Sequence, residues 1–289
     1  MNKNVIILGK ECNNNSIPEF IYRDLNNKNS MQYKIVQENS NDWKIYFYES
    51  GTLTFLQNKP EYLDVFLVGG GASGNAGANG DGTPGSGGAG GFTSRGIIRL
   101  DTNINEYTIT IGEGGIYAGT SDNEGSGDDG KPTSAFGLTA NGGIAGKKTN
   151  NYISSGGSGG GGYSRDSSVT DTSSSNNEYG ANGGKDGNNG SGQEYIGLGQ
   201  GFTTREFYES KGKLYAGGGG GASSQQNKNG GIGGEGGGGN GSNSSNDGVT
   251  AGKPNTGGGG GGSNNGTKDK KPAGNGGSGI VVIRNLRNS

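Results

Sequence analysis

The sequence predicts an all-β protein: a small antiparallel β-sandwich with a large glycine-rich insert and almost no α-helix. Residues 43–48, 52–56, 62–68 and 106–112 are rich in aromatic and β-branched residues or alternate apolar with polar residues, as β-strands do. Of the 69 glycines, only Gly9 and Gly51 precede Gly69. A last apolar run, residues 280–283, follows the glycine-rich region and would complete the sandwich.

The glycine-rich region has two interpretations, a disordered linker or an ordered lattice of extended chains. Disorder is the default, because hydrophobic residues make up only 26% of the chain and ordering entropy is then hard to offset. There is no Gly-X-Y period and there are only 6 prolines, which excludes collagen. The flanking strands favour an ordered bundle of polyglycine-II-type helices that bond laterally through their backbones. The glycines come in runs at residues 69–71, 159–162, 217–221, 236–239 and 257–262.

Three regions follow in chain order. Residues 1–40 mix short apolar runs with Asn-rich turns, and we interpret them as short strands or as an attachment segment. Residues 41–139 and 278–287 contain the predicted strands and form the sandwich. Residues 140–277 form the glycine bundle, with its polar segments as exposed loops.

Charge and composition exclude several classes of protein. The net charge of -2 and the dispersed Lys and Arg leave no basic face for nucleic acid. No apolar run is long enough for membrane insertion, and the N-terminal sequence does not fit a secretory signal, so we expect synthesis in a cytoplasm. A single cysteine, Cys12, excludes an intrachain disulfide framework and a multi-cysteine metal site.

Nothing in the sequence favours an enzyme, a metal site or a cofactor. The chain has no His, which removes the commonest general base and metal ligand. The glycines at residues 69–74 satisfy G-x-G-x-x-G, but the following residues cannot form the helix that a dinucleotide site needs. Carboxylate-only hydrolysis is formally open, although acids in solvated turns are the better interpretation. The acids considered are Asp64, Glu106, Glu113, Asp128 and Asp129.

A set of motifs resembles a known family. The motifs are Trp-Lys-Ile-Tyr-Phe at residues 43–47, Gly-Thr-Leu-Thr-Phe at 51–55, Asp-Val-Phe-Leu-Val-Gly-Gly-Gly at 64–71, Gly-Gly-Phe-Thr at 90–93, Tyr-Thr-Ile-Thr-Ile-Gly-Glu-Gly-Gly at 107–115, Thr-Ser-Ala-Phe-Gly at 133–137 and Gly-Gly-Ser-Gly-Ile-Val-Val-Ile-Arg at 276–284. Over about residues 41–287 the chain resembles the glycine-rich domain at the ends of bacteriophage tail fibres, related adhesins and phage-tail-like bacteriocins. The resemblance implies a sandwich capped by a polyglycine-II bundle, whose far-end loops contact a receptor on the bacterial surface.

The same resemblance implies where such a chain works and with what. It would be a component of a virion or a phage-tail-like particle, and its partners would be a bacterial cell-surface receptor and other tail-fibre or baseplate proteins. Because tail fibres are commonly trimeric, it also favours a homotrimer over a single-chain cap.

The candidate binding residues lie in the longest polar loops of the insert. Tyrosine beside Ser, Gly and Asn is typical of binding loops, which predicts a recognition tip in residues 164–178 and 203–213, and next in residues 243–246 and 264–271. The alternative is that some aromatic rings seal the glycine bundle, as Tyr163 and Tyr215 beside glycine runs suggest. The candidate receptor-binding residues are Arg165, Asp166, Asn176, Asn177, Tyr179, Arg205, Phe207 and Tyr208.

The leading hypothesis is therefore a non-enzymatic receptor-binding module in which a rigid lattice displays polar loops. The alternative is a structural fibre or baseplate component whose loops make subunit contacts. An ice-binding bundle ranks third, because the long unequal loops argue against a flat face, and a glycan-degrading enzyme ranks last.

Overall fold

A computed structural model of the chain describes residues 16–24, 33–39, 42–77, 85–117, 126–147, 152–162, 181–192, 195–223, 229–243, 245, 247–264 and 272–287. This described part is all-β and confirms the predicted fold class. No helix in it is long and apolar enough to cross a membrane. The strands are β1 (Glu19–Asp24), β2 (Tyr33–Gln37), β3 (Trp43–Phe47), β4 (Gly51–Gln57), β5 (Tyr62–Val68), β6 (Thr93–Arg99), β7 (Glu106–Thr110), β8 (Thr133–Ala135), β9 (Leu138–Ala140) and β10 (Ile280–Asn285).

The strands form two antiparallel five-stranded sheets. The first sheet has the order β1-β4-β7-β8-β9 and the second has the order β2-β3-β10-β5-β6. The last strand, β10, lies between β3 and β5, where Val282 is opposite Tyr46 on one side and Phe66 on the other. The prediction that the C-terminal strand completes the sandwich is confirmed.

Both short strands of the N-terminal region belong to the sandwich. β1 pairs with β4 at the edge of the first sheet, and β2 pairs with β3 at the edge of the second. We interpreted residues 1–40 as short strands or as an attachment segment, and residues 19–24 and 33–37 are short strands. An attachment role for this region stays a prediction.

The alternating strands bury one side chain in two against the opposite sheet. In β4, Leu53 and Phe55 are buried while Thr52 and Thr54 are half-buried, as a half-buried strand requires. Each large apolar side chain that becomes fully buried contributes about 1.5–3 kcal/mol. The core between the sheets also includes Trp43, Ile45, Phe47, Leu63, Val65, Leu67, Ile109, Val281 and Ile283.

The glycine-rich region is a lattice whose hydrogen bonds repeat every three residues. Within residues 69–75, every third N–H group, those of Gly69, Ala72 and Asn75, donates to residues 86–92. The set that starts at Gly70 donates to residues 128–131, and the set that starts at Gly71 donates to residues 274–277. A three-residue period is that of an extended left-handed helix, so the three donor sets point to three sides.

The carbonyls of the same segment bond to three more neighbours. Gly70 accepts from residues 141–147, Gly71 accepts from residues 111–117, and Ala72 accepts from residues 257–264. At least six described segments therefore surround residues 69–75. Residues 217–223 repeat the arrangement, with donor sets that reach residues 236–242, 181–184 and 85–88. The polyglycine-II-type bundle is present.

Glycine is required where these backbones meet. A Cβ on Gly71 would lie 2.1 Å from the Gly258 carbonyl oxygen, and one on Gly219 would lie 2.0 Å from that of Gly260. Because residues 69–77, 85–91 and 111–117 already have such contacts, the lattice starts at Gly69 rather than at the predicted boundary near residue 140. Sandwich strands and lattice segments alternate along residues 62–147.

Candidate functional site

The lattice segments run between the sandwich and one opposite end. Residues 69–77, 111–117 and 141–147 leave the sandwich after β5, β7 and β9 and run in the same direction. Gly69 lies beside Asn141 and Asn75 beside Gly146, while Gly70 lies beside Glu113 and Ser73 beside Gly115. We call the end that these three segments reach the distal end. Residues 78–84, 118–125 and 148–151, which follow these segments, lie outside the described residues.

Other connections begin at the same end. Ala222 donates to the carbonyl of Gly85, which is the first described residue after the connection 78–84. Gly221 donates to Ala181, and Gly85 donates to Ser263, so these segments also end there. Residues 163–180, 224–228 and 265–271 therefore connect segments that end at the distal end, and they lie outside the described residues.

The predicted tip residues divide into two groups. Arg165, Asp166, Asn176, Asn177 and Tyr179 belong to residues 163–180 and lie outside the described residues, as does most of the predicted loop 264–271. The described residues of the predicted turn 243–246, Asn243 and Ser245, lie at the distal end. Ser223 donates to Ser242 there, and the Asn243 N–H donates to the carbonyl of Asp247.

The prediction that residues 203–213 belong to the recognition tip is wrong. They lie at the sandwich end, where residues 203–215, which we call the covering loop, pack on the outer face of the second sheet. Phe207 and Tyr215 are fully buried there against Phe66, with ring centroids 5.8 and 5.7 Å from that of Phe66. The loop packs here because the outer face of the second sheet is apolar and, among the described residues, no further sheet covers it. Burying Phe207 and Tyr215 removes both the rings and this face from water.

The three candidate residues in this loop have structural contacts. Phe207 is inaccessible to a receptor in this conformation. Tyr208 is half-buried and packs edge-on against Phe66 and Phe202. The Arg205 Nε donates to the Asp186 carboxylate at 3.2 Å. Tyr215, which the sequence suggested as a seal of the glycine bundle, is instead fully buried against the Phe66 ring on the second sheet, whereas Tyr163 lies outside the described residues.

Asp186 fixes the start of the covering loop. Its carboxylate accepts hydrogen bonds from the Thr203 hydroxyl and the Thr204 N–H as well as from Arg205. Burial alone would raise the pKa of Asp186, but the bond from Thr203 and the charge of Arg205 outweigh it and lower that pKa below its ordinary value. The turn at Asp186 and Gly187 is thus part of the loop attachment.

A buried carboxylate, that of Glu206, holds the middle of the covering loop. Its Oε1 lies 2.9 Å from the Lys44 Nζ and accepts from the Tyr46 hydroxyl at 3.2 Å, and its Oε2 accepts from the Tyr215 hydroxyl at 3.2 Å. Burial, followed by the charge of Glu206, raises the pKa of both phenols above the ordinary value. Both tyrosines therefore stay protonated as donors.

A second buried charge cluster joins three strands beneath the loop. The Asp64 carboxylate, 2% exposed, accepts two bonds from Arg95 at 2.9 and 2.8 Å and one from the Arg284 Nε at 2.9 Å. The Arg284 guanidinium also lies 3.9 Å from the Phe207 ring centroid and 2.7 Å from Glu209. Asp64 is a structural residue here, paired with two cations. The sequence contains a signal for this cluster, since Asp64 and Arg284 are single charged residues within the apolar strands 62–68 and 280–285.

Near the distal end, the described residues place an ion pair beside two aromatic rings. The Asp129 carboxylate lies 2.7 Å from the Lys147 Nζ. The ring centroids of Tyr152 and Tyr195 are 5.6 Å apart in an edge-on arrangement. Among the described residues, no group of three or more His, Cys, Asp or Glu side chains converges as metal ligands would.

Comparison with known proteins identifies the family. A family model described as a glycine-rich domain matches residues 48–286, which span the sandwich from β4 to β10 together with the lattice. A search among curated proteins gave no match. Because the model covers most of the chain and both of its structural parts, this protein belongs to the glycine-rich domain family.

Proposed function

We propose that this chain is a receptor-binding module of a phage tail fibre or tail-like particle, which recognises a saccharide or protein of the bacterial surface through its distal loops. One observation carries the proposal. The lattice segments that flank residues 78–84, 118–125, 163–180, 224–228 and 265–271 all end at the distal end, away from the sandwich. A binding surface assembled from loops on a rigid scaffold is a common arrangement in proteins.

The lattice supplies the rigidity that such a surface needs. Its backbone groups are bonded on several sides, so the ends of the loops are held at fixed separations. A receptor that meets preorganised loop ends loses less binding free energy to ordering. The composition of residues 163–180, which combine Tyr, Ser and Asn with Arg165 and Asp166, suits contact with a polar surface.

Cell labelling tests the proposal. The purified chain carries a fluorescent label and is mixed with intact cells from a panel of Gram-negative and Gram-positive bacteria. We expect saturable labelling of at least one strain, and loss of that labelling when residues 164–178 are replaced by a short Gly-Asn turn. Circular dichroism and thermal unfolding show whether the loop variant keeps the parent's fold.

The control is a change at the sandwich end. Lys211 is exposed in the covering loop, so Lys211→Ala should label cells like the parent. Equal labelling by the folded loop variant would move recognition away from residues 164–178. Failure of the parent to label any strain, together with a stable assembly of the parent in solution, would favour a structural fibre component.

A further inference from the structure

Four lattice segments lie side by side on the outside of the bundle. Residues 126–132, 141–147, 152–156 and 195–199 bond to one another in that order. The linking bonds run from Gly130 to Gly143, from Ile144 to Ser155 and from Leu198 to Ser154, with N···O distances of 2.8–2.9 Å. Their order gives this side of the bundle a defined register.

The register brings three large side chains to one level. Ser155 forms β-bridges with both Ile144 and Leu198, so these three residues lie at one level of the bundle. Lys147, Tyr152 and Tyr195 are each three residues away along their segments and lie together one turn nearer the distal end. The Tyr152 N–H donates to the Lys147 carbonyl at 2.8 Å, and the two tyrosine rings meet at 5.6 Å. One turn back, Ile144 and Leu198 are 42% and 49% exposed.

Polar groups border this aromatic and aliphatic surface. Asp129, on the first of the four segments, accepts the Ala145 N–H at 2.8 Å and pairs with the Lys147 Nζ at 2.7 Å. The pair is 43% and 36% exposed, and its two charges cancel. We call the set of Asp129, Ile144, Lys147, Tyr152, Tyr195 and Leu198 the tyrosine strip.

The two tyrosines adopt a backbone conformation that bulky residues rarely take. The φ angles are 59° at Tyr152 and 55° at Tyr195, in the left-handed region that Gly and Asn tolerate best. The chain uses Gly and Asn at many other positions, so neither is scarce in its composition. Phe207 and Tyr208 of the covering loop share this conformation, with φ angles of 53° and 57°, and have structural contacts there, so the conformation by itself assigns no role. What distinguishes Tyr152 and Tyr195 is their position next to the exposed Ile144 and Leu198.

We propose, building on the receptor-binding function above, that the tyrosine strip is a subsite for an uncharged saccharide of the bacterial surface. The apolar face of a sugar ring would pack on Tyr152 and Tyr195, while its hydroxyls would bond to Asp129 and Lys147. A neutral ligand fits because the ion pair leaves no net charge to recognise. A strip of six side chains is also much smaller than the roughly 20–30 residues per side of a stable protein interface.

The test measures binding of the full chain to an array of purified bacterial polysaccharides, both neutral and charged. The test variant is Tyr152→Asn combined with Tyr195→Asn, which removes both rings and keeps a residue that tolerates positive φ. The control is Tyr62→Asn, which removes a tyrosine that is 37% exposed on the sandwich. We expect the parent and the control to bind a neutral polysaccharide, and the double variant to lose more than tenfold in affinity.

Two results would overturn the subsite and leave the proposed function intact. One is unchanged polysaccharide affinity in the folded double variant. The other is a parent that labels cells but binds no polysaccharide, with labelling that disappears when the cells are treated with protease, which would indicate a protein receptor. A parent that binds neither cells nor polysaccharides would refute both proposals.

Discussion

Replacing Gly219 with Ala tests whether the lattice depends on the absence of a side chain. Gly219 lies in the middle of residues 217–223, which bond to several other segments. A Cβ there would lie 2.0 Å from the Gly260 carbonyl oxygen, whereas ordinary contact starts at 3.4 Å. The two segments would have to separate by about 1.4 Å, since neither atom belongs to a flexible side chain.

The cost follows from the bonds that this separation breaks. Residues 217–223 and 257–263 are joined by Gly259 N–H to Gly217 and by Gly262 N–H to Gly220, both at 2.9 Å. The carbonyl of Gly260 also accepts from Gly88 at 2.8 Å. At about 1 kcal/mol for each of these three bonds, and about 1–3 kcal/mol for overpacking, the variant should lose about 4–6 kcal/mol of unfolding free energy.

Thermal and urea unfolding measure this loss. For a chain of this size, 4 kcal/mol lowers Tm by about 8–16 °C. The matched control is Gly96→Ala in β6, where the nearest atoms to a new Cβ are the two methyl carbons of Leu138 at 3.0 and 3.3 Å. This flexible, half-buried side chain can shift, so we expect a change of less than about 1 kcal/mol. Equal Tm values for Gly219→Ala and the parent would refute the close-packed lattice.

Three more predictions concern the covering loop and the charges beneath it. Asp64→Asn should reduce the unfolding free energy in urea by about 3–5 kcal/mol, because it removes the carboxylate that Arg95 and the buried Arg284 share and leaves Arg284 with the partly exposed Glu209 as its counter-charge. Phe207→Ala should cost about 3–5 kcal/mol in the same assay and leave cell labelling unchanged, since the ring is buried far from the distal end. The lowered pKa of Asp186 means that its bonds to Thr203 and Arg205 stabilise the fold above the unfolded-state pKa. That stability is lost as the pH falls through the lower folded-state pKa, so urea unfolding across the acidic range should show a smaller pH dependence in Asp186→Asn.

Side-chain periodicity was sufficient to predict the sandwich. In β3 and β4 the alternation of apolar and polar residues in the sequence is the alternation of buried and half-buried residues in the structure. The apolar run at residues 280–283 was recognised as a strand, and its central place in the second sheet agrees with burial on both faces. The local pattern of apolar and polar residues predicts these strands because at least one face of each strand is buried away from water.

The covering loop could not be located in the same way. Its sequence, residues 203–213, is polar overall, and its partners Lys44, Arg95 and Arg284 lie far away along the chain. Phe207 is buried by the outer face of β5 and β10, which is apolar and which no third sheet covers in the described part of the chain. A polar loop can thus be buried by an apolar surface that residues distant in the sequence form, and the sequence of the loop itself does not indicate this.

The neighbours of each glycine segment were also beyond prediction, for a different reason. A glycine offers one N–H and one carbonyl and no side chain, so any two glycine runs bond equally well. The neighbours of each glycine segment are instead determined by the positions at which strands such as β5, β7 and β9 end, and by the side chains that interrupt the glycine runs. Asn75 is one such residue, buried at the distal side with its amide on the Ser86 hydroxyl at 2.7 Å.

A lattice bonded through the backbone separates the requirements of folding from those of binding. Within a segment the three-residue period is strict, since one inserted residue turns every later N–H by a third of a turn, toward the wrong neighbour. Between segments at the distal end, no such period applies. Lengthening a connection there costs only loop-closure entropy, about 0.6 kcal/mol for each doubling. Residues 163–180 can therefore change in length at little cost in stability, whereas Gly219→Ala should cost about 4–6 kcal/mol, and this difference suits the receptor-binding module proposed above.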